Sequence, residues 1–409
     1  MQHNKQPVIA IALITAICVA GDSMLYIVLP THWNEVGIAS LVHVGVILSI
    51  NRFVRLPLNP VIGLIYKVMS FRTGILLAVI FSGITTISYG YIENFSIWIL
   101  VRSLWGFSFS LFKLGAYILI LDLSSETNRG YLMGSYNGLY RLGGLIGMLL
   151  GGIFADLFGV AVISSVLGFL AFLSIPLVVK YIPKSITIDD KADTKPSFLT
   201  NFKTIANKHF LKIFVTAFSL IMLLDGILTA TLSHLIYVKY SNHINMFGMI
   251  AGAATVAGII QALRWGIAPF VVPKVGILLD KVQHRNIVLA TFLALASIFL
   301  VILPLNIPLF VWLPLLLIHL LVASSLTTII DAIVTDRTSK ATNKIFIMTA
   351  FTVIVDLGAA LGPILAYTLE EKIGLTHLFW LAALICCLLM ISWLFPDKNN
   401  TVLNQQMKM

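Results

Sequence analysis

Apolar runs of about 20 residues follow one another along almost the whole chain, and that is the length a helix needs to cross the hydrocarbon core of a bilayer. Hydrophobic residues make up 59% of the 409 positions and charged residues 11%. A soluble domain carries about 25% charged residues. In lipid every backbone N–H and C=O must be satisfied from within, and a helix does this inside one segment. A β-barrel would instead show segments of about ten residues with period-two alternation, and none are present. The expected fold class is an all-α polytopic membrane protein. Twelve spans are predicted, at approximately 7–30, 42–66, 72–92, 96–121, 131–155, 159–181, 210–238, 246–272, 286–304, 309–331, 345–368 and 375–395.

Charge sets the expected orientation. The net charge is +10, which in a soluble chain would suggest nucleic acid. Here the basic residues gather in alternate loops, as the positive-inside rule requires, and no nucleic-acid partner is expected. Lys67, Arg72, Arg129, Lys274, Lys281, Arg285, Arg337, Lys340 and Lys344 fall on the same side as Lys5, Lys398 and Lys408, whereas the opposite loops carry only Lys239 and Lys372. The termini are predicted to be cytoplasmic, in an inner (plasma) membrane. The apolar run after Lys5 is too long for a signal-peptide core, so it reads as a retained first span. Segment 182–209 is the one long polar stretch and reads as a cytoplasmic linker. It divides an N-terminal six-helix bundle (1–181) from a C-terminal one (210–397), followed by a tail (398–409). Cys18, Cys386 and Cys387 lie in apolar runs, with neither a disulfide framework nor metal-ligand spacing. No metal or cofactor is expected, and the chain is expected to be a monomer.

Six cations sit inside the predicted spans: Arg52, Arg55, Arg102, Lys113, Arg141 and Arg264. Each would cost about 2.5–3.5 kcal/mol at the bilayer centre, so each must face protein or a wet cavity. Only three acids, Asp22, Asp225 and Asp356, lie at comparable depth. An interior with excess positive charge suits an anion. Arg52 and Arg55 share a face of span 2 with Asn51 and Asn59, either as an anion-binding face or as structural partners of Asp22. Arg264, beside Trp265, is a candidate to hold a carboxylate or phosphate through its planar fork. Lys113 is the deeper substrate candidate on span 4, and Arg102 reads as structural or proton-linked. Arg141 either binds substrate or pairs with Asp356. Asp22 and Asp225 are the leading protonation candidates, against fixed ion pairs as the alternative. His234 and His319 read as hydrogen-bonded packing residues. Tyr26, Trp105, Tyr136 and Tyr140 line either a cavity or the core. Asp122 and Asp331 end spans 4 and 10 beside the basic loops.

The two halves repeat weakly but in order. Asp22 parallels Asp225, Pro60-Val-Ile-Gly63 parallels Pro273-Lys-Val-Gly276, and Leu142-Gly-Gly-Leu-Ile-Gly147 parallels Leu357-Gly-Ala-Ala-Leu-Gly362. Parallel six-span repeats place a binding site near the midplane between the halves. With these features the chain resembles the major facilitator superfamily. The loop signature of that family, Gly-x-x-x-Asp-Arg/Lys-x-Gly-Arg/Lys-Arg/Lys, is approached by Gly276-Ile-Leu-Leu-Asp280-Lys281-Val-Gln-His284-Arg285. The first copy, from Gly63 to Arg72, has Lys67 in the aspartate position. Arg102-Ser-Leu-Trp-Gly106 is similar to the Arg-x-x-x-Gly motif, whose arginine the resemblance implicates in proton transfer. Gly143, Gly147, Gly151 and Gly152 look like the glycine motif of exporters, with Met148 where a proline is usual and Gly362-Pro363 in the second half.

The resemblance implies alternating access. The expected function is secondary transport of a small organic anion, polycarboxylate or carboxylate-siderophore-like, coupled to protons. Multidrug efflux is the alternative within transport, and an anionic lipid flippase or a transport-inactive receptor is the alternative outside it. No catalytic constellation and no phosphate-binding loop appears, so neither an enzyme nor direct ATP drive is expected.

Overall fold

The computed structural model describes residues 6–124, 128–184, 208–241, 244–246, 249–282, 285–339 and 344–395. The linker interior and the C-terminal tail read from the sequence lie outside the described residues. The helices are α1 (Gln6–His32), α2 (Leu41–Val68), α3 (Phe71–Ser88), α4 (Phe95–Leu123), α5 (Arg129–Phe158), α6 (Val160–Leu173), α7 (Ile175–Tyr181), α8 (Lys208–Leu220), α9 (Leu228–Tyr240), α10 (Ala253–Lys281), α11 (Arg285–Ile302), α12 (Leu309–Ser339) and α13 (Lys344–Leu394). A π-helical segment, Ile221–Ile227, joins α8 to α9.

Eleven of the described helical stretches are long and apolar enough to cross a membrane. The longest, α13, changes direction at Gly374, whose φ of 78° only glycine adopts without strain. It therefore holds the last two of the twelve spans read from the sequence. Span six is α6 and α7 in series, with Pro176 in the first turn of α7, where its missing N–H costs nothing. One expectation is corrected. Span eight begins not at 246 but at Ala253, because the preceding residues pair as an antiparallel ribbon, Ile244–Met246 with Met249–Ala251. An apolar run alone does not distinguish a ribbon strand from a first helical turn.

Short polar caps start the spans after turns. Ser40 accepts from the His43 amide at 3.3 Å, Ser70 from Thr73 at 3.3 Å, and Asn94 from Ser96 at 2.8 Å. Each supplies an acceptor to the unpaired first turn of its helix.

Contacts group the chain into two compact units. The first comprises the described residues of 1–196, 226–265 and 359–371. Its centre is α1, which is buried along most of its length and packs chiefly on α5. Gly143 and Gly147 face the carbonyls of Ala16 and Ala20, and Gly151 faces Met24. No side chain fits there, so the glycines set how closely the two helices approach. Parts of spans seven, eight and eleven belong to this unit. Gly152 of α5 meets the Ala254 carbonyl of α10, Gly258 of α10 meets the Met148 carbonyl of α5, and Gly45 of α2 meets the Pro363 carbonyl of α13.

The second unit comprises the described residues of 197–225, 266–358 and 372–409. Within it α11 packs on α12. The Trp393 indole donates to Thr216 Oγ1 at 2.9 Å and Lys212 Nζ to the Ser392 carbonyl at 2.7 Å. Gly358 lies against the Phe218 carbonyl.

Candidate functional site

A polar network fills the middle of the first unit. Arg102 on α4 is fully buried and ion-paired with Asp22 on α1. Its Nε donates to the Ile47 carbonyl of α2 at 2.9 Å, and its Nη1 also donates to the Tyr89 hydroxyl at 3.1 Å. Asn51 Nδ2 donates to the same Asp22 oxygen at 3.1 Å. Three helices and the turn after α3 therefore converge on one carboxylate. Gly106, one turn along α4 from Arg102, lets α4 come up against the Asn51 carbonyl. Neither partner could be left alone in such a site, because an uncompensated buried charge is far more costly than the pair. Arg102 and Asn51 are thus both partners of Asp22.

Three of the other span cations lie over aromatic rings. The guanidinium of Arg52 is 5.7 Å from the Tyr26 ring centroid and that of Arg55 is 4.8 Å from Phe109. Phe109 meets Tyr140 edge-on at 6.4 Å, and Tyr140 meets Tyr136 at 5.2 Å. Arg264 is buried, lies 5.3 Å from the Trp265 ring, and its Nη1 is 3.5 Å from Gln261 Oε1. A guanidinium over an aromatic face is attracted by the ring quadrupole. Lys113, half-buried one turn along α4 from Phe109, and Arg141, exposed on α5, have no ion-pair partner among the described residues. Arg52, Arg55, Lys113, Arg141, Arg264, Trp265 and Tyr140 thus all belong to the first unit, as do Asp22 and Arg102.

Asp225 and Asp356 belong to the second unit and are half-buried. Asp225 sits in the π-helical segment, a local widening that is frequent at functional positions. Neither acid has an ion-pair partner among the described residues. Among the loop-motif residues, Arg72 Nε donates to the Ile182 carbonyl at 2.7 Å, which ties the second loop to the end of α7. Arg285 approaches Asp336 at 3.9 Å. Gly63 and Gly276 are half-buried, and Lys281, Asp122 and Asp331 are exposed. The side chain of Asp280 lies outside the described residues.

Sequence reasoning missed a second polar cluster, at the end of the unit away from Lys67 and Arg72. Asp156 on α5 accepts from the Thr255 amide at 2.7 Å and from its hydroxyl at 2.6 Å, and lies 3.4 Å from His32 Nε2. His234 pairs with Glu370 at 2.6 Å. The signal was present in the repeat. His32 and His234 follow Asp22 and Asp225 by ten and nine residues, and Asp156 and Glu370 follow Gly147 and Gly362 by nine and eight.

The family model of the Major Facilitator Superfamily matches residues 11–269 and again 255–407, nearly the whole chain. The chain belongs to this superfamily. Its members of known name here are transporters, not enzymes. An uncharacterized MFS-type transporter of Methanocaldococcus jannaschii is 25% identical over 235 residues, which span 56% of this chain and 59% of that relative. Among solved structures, the nucleoside transporter NupG superposes with a TM-score of 0.72 at 14% identity, covering 96% of this chain and 98% of that one. A bacterial homolog of the human lysosomal transporter Spinster, inward-facing and unoccupied, gives 0.70 at 14% identity over 96% and 95% of the two chains. A POT family transporter in complex with 5-aminolevulinic acid gives 0.72 at 12% identity over 95% and 94%. These superfamily structures share the fold while naming different substrates, so the substrate of this chain must be argued from its own residues.

Proposed function

We propose that this superfamily member is a secondary active transporter of a small organic anion, of polycarboxylate or carboxylate-siderophore type, driven by alternating access and coupled to protons. The observation that carries the reading is a charge imbalance inside one compact unit. Six cations lie within its spans, while the acid at their level, Asp22, is already engaged by Arg102. Arg52, Arg55 and Arg264 lie over aromatic rings, with Lys113 and Arg141 in the same unit. A carboxylate-rich solute brings the missing negative charge, and planar guanidinium forks bind it bidentately.

Proton coupling is assigned to Asp22 and Arg102, with Asp225 and Asp356 as the counterparts in the second half. An anion arriving beside Asn51–Arg52 competes with Asp22 for the cations around it. Asp22 is then released to take a proton, a symport-like linkage. The reading also takes the chain as two six-span halves joined by 182–209, with both termini and that segment cytoplasmic. The end bearing Asp156 and Thr255 is then the outer end.

Reconstitution tests the reading. Proteoliposomes should accumulate a labelled di- or tricarboxylate when a pH gradient is imposed and lose it when an ionophore collapses the gradient. Accumulation of neutral or cationic solutes alone would replace the anion reading by multidrug or nucleoside-like transport.

A further inference from the structure

On the proposed orientation, three helices meet at the outer end through one carboxylate. Thr255 is the third residue of α10, and its amide is among those that a helix start leaves without an internal partner. Asp156 of α5 supplies that partner through one oxygen, which also accepts from the Thr255 hydroxyl. A residue of the first half therefore caps a helix of the second. Glycines bring the helices close enough for this: Gly152 against Ala254, Gly258 against Met148, and Gly252 against the Asp156 carboxylate itself. The other Asp156 oxygen faces His32 Nε2 at 3.4 Å, and His32 Nδ1 lies 2.9 Å from Thr31 Oγ1.

We propose that His32, Asp156 and Thr255 form a proton-operated latch on the outer gate: proton uptake by the His32–Asp156 pair releases the cap on α10 and lets the outer end open. Three effects act in the same direction. In the closed form the negative charge of Asp156 is met by an N–H, an O–H and the positive end of α10. Opening removes all three and leaves His32, on the same half, as the remaining partner of that carboxylate. An imidazolium beside the α10 N-terminus is also repelled by that end of the helix dipole.

Among the described residues, Glu93, against Gly37 in the turn after α1, and Glu35 also lie at this end. Glu35, in the turn after α1, accepts from the Val160 amide at 2.7 Å, so it caps α6 within the first half and stays there in either state. Helix α9, which also packs on α1, carries His234, Lys239 and Tyr240, and α13 contributes Glu370 to His234. The His234–Glu370 pair occupies the place in the second half that His32–Asp156 occupies in the first. Both of its members lie in spans of the second half, so it does not bridge the two halves.

The latch rests on the transporter reading for its purpose, but its test needs no substrate and fails independently of it. Spin labels at Asn34 and Ile250, both exposed on connections at this end, report the outer distance in nanodiscs after the native cysteines are replaced by alanine. At about pH 8 one short distance is expected, and at about pH 5.5, across the ordinary histidine range, a second and longer one. Asp156→Ala should raise the open-to-closed ratio about five- to tenfold, the usual scale of a lost cap, and remove its response to pH. His32→Gln should stay closed at both values. Thr255→Val should loosen the latch and Thr255→Ser should restore it, a contrast that remains available if the aspartate variant does not fold. Wild-type distances that ignore pH, or a response that survives in His32→Gln or Asp156→Ala, would overturn the proposal.

Discussion

At the scale of single residues, the Arg102–Asp22 pair is the feature on which most else depends. Arg102 is out of water, Asp22 is half-buried, and each is the other's counter-charge. Arg102→Met should therefore destabilise the protein by about 3–5 kcal/mol, the usual effect of breaking a buried pair. Arg102→Met combined with Asp22→Asn should recover part of that loss, read as melting temperature in detergent. Asp22→Asn alone should keep ligand binding, followed by thermal shift, and lose the dependence of transport on a pH gradient. Unchanged pH dependence in that variant would make Asp22 structural. Arg52→Ala and Arg264→Ala should abolish uptake with normal membrane insertion, and lysine should restore little, because an ammonium cannot reproduce a fork stacked on Tyr26 or Trp265.

The sequence singled out Asp22 and Arg102 separately, because depth in an apolar run is a local property. It could not join them across 80 positions, since pairing depends on how α1 and α4 pack. For the same reason Asp156 and His32 escaped notice. They sit near span ends, where a charge is unremarkable, and only their meeting with Thr255 gives them a role.

At the scale of elements, α5 separates two kinds of glycine. Gly143 and Gly147 lie against α1 backbone, whereas Gly134 and Gly138 have no neighbouring atoms within 4 Å of where a side chain would begin. Gly143→Leu and Gly147→Leu should collapse the folded yield, since α1 and α5 are the main contact of the unit. Gly134→Ala and Gly138→Ala should be tolerated, or stabilise by up to about 1 kcal/mol through helix propensity. A fluorescence-detected melting series on the four variants checks this. Helix number and order were legible because run length and polar turns repeat so regularly. The π-helical segment around Asp225, the break at Gly374 and the ribbon before α10 were not. Each is a departure from helical geometry inside or beside an apolar run, and hydropathy has no term for it.

At the scale of the whole molecule, the superfamily fold follows from apolar runs and repeat spacing, and the proposed orientation rests on where the lysines and arginines fall. A membrane-impermeant thiol reagent applied to sealed cells should label Glu371→Cys and leave Asp193→Cys unlabelled; the reverse would invert the assignment of inner and outer ends. The central claim is that a cation-rich interior carries an anion. Its most direct measurement is pH-gradient-driven accumulation of labelled di- and tricarboxylates in proteoliposomes, with wild type, Arg52→Ala and Arg264→Ala compared side by side. The account requires uptake of at least one carboxylate by the wild type and its loss in both variants. Uptake that is indifferent to both arginines, or confined to uncharged and cationic solutes, would contradict it.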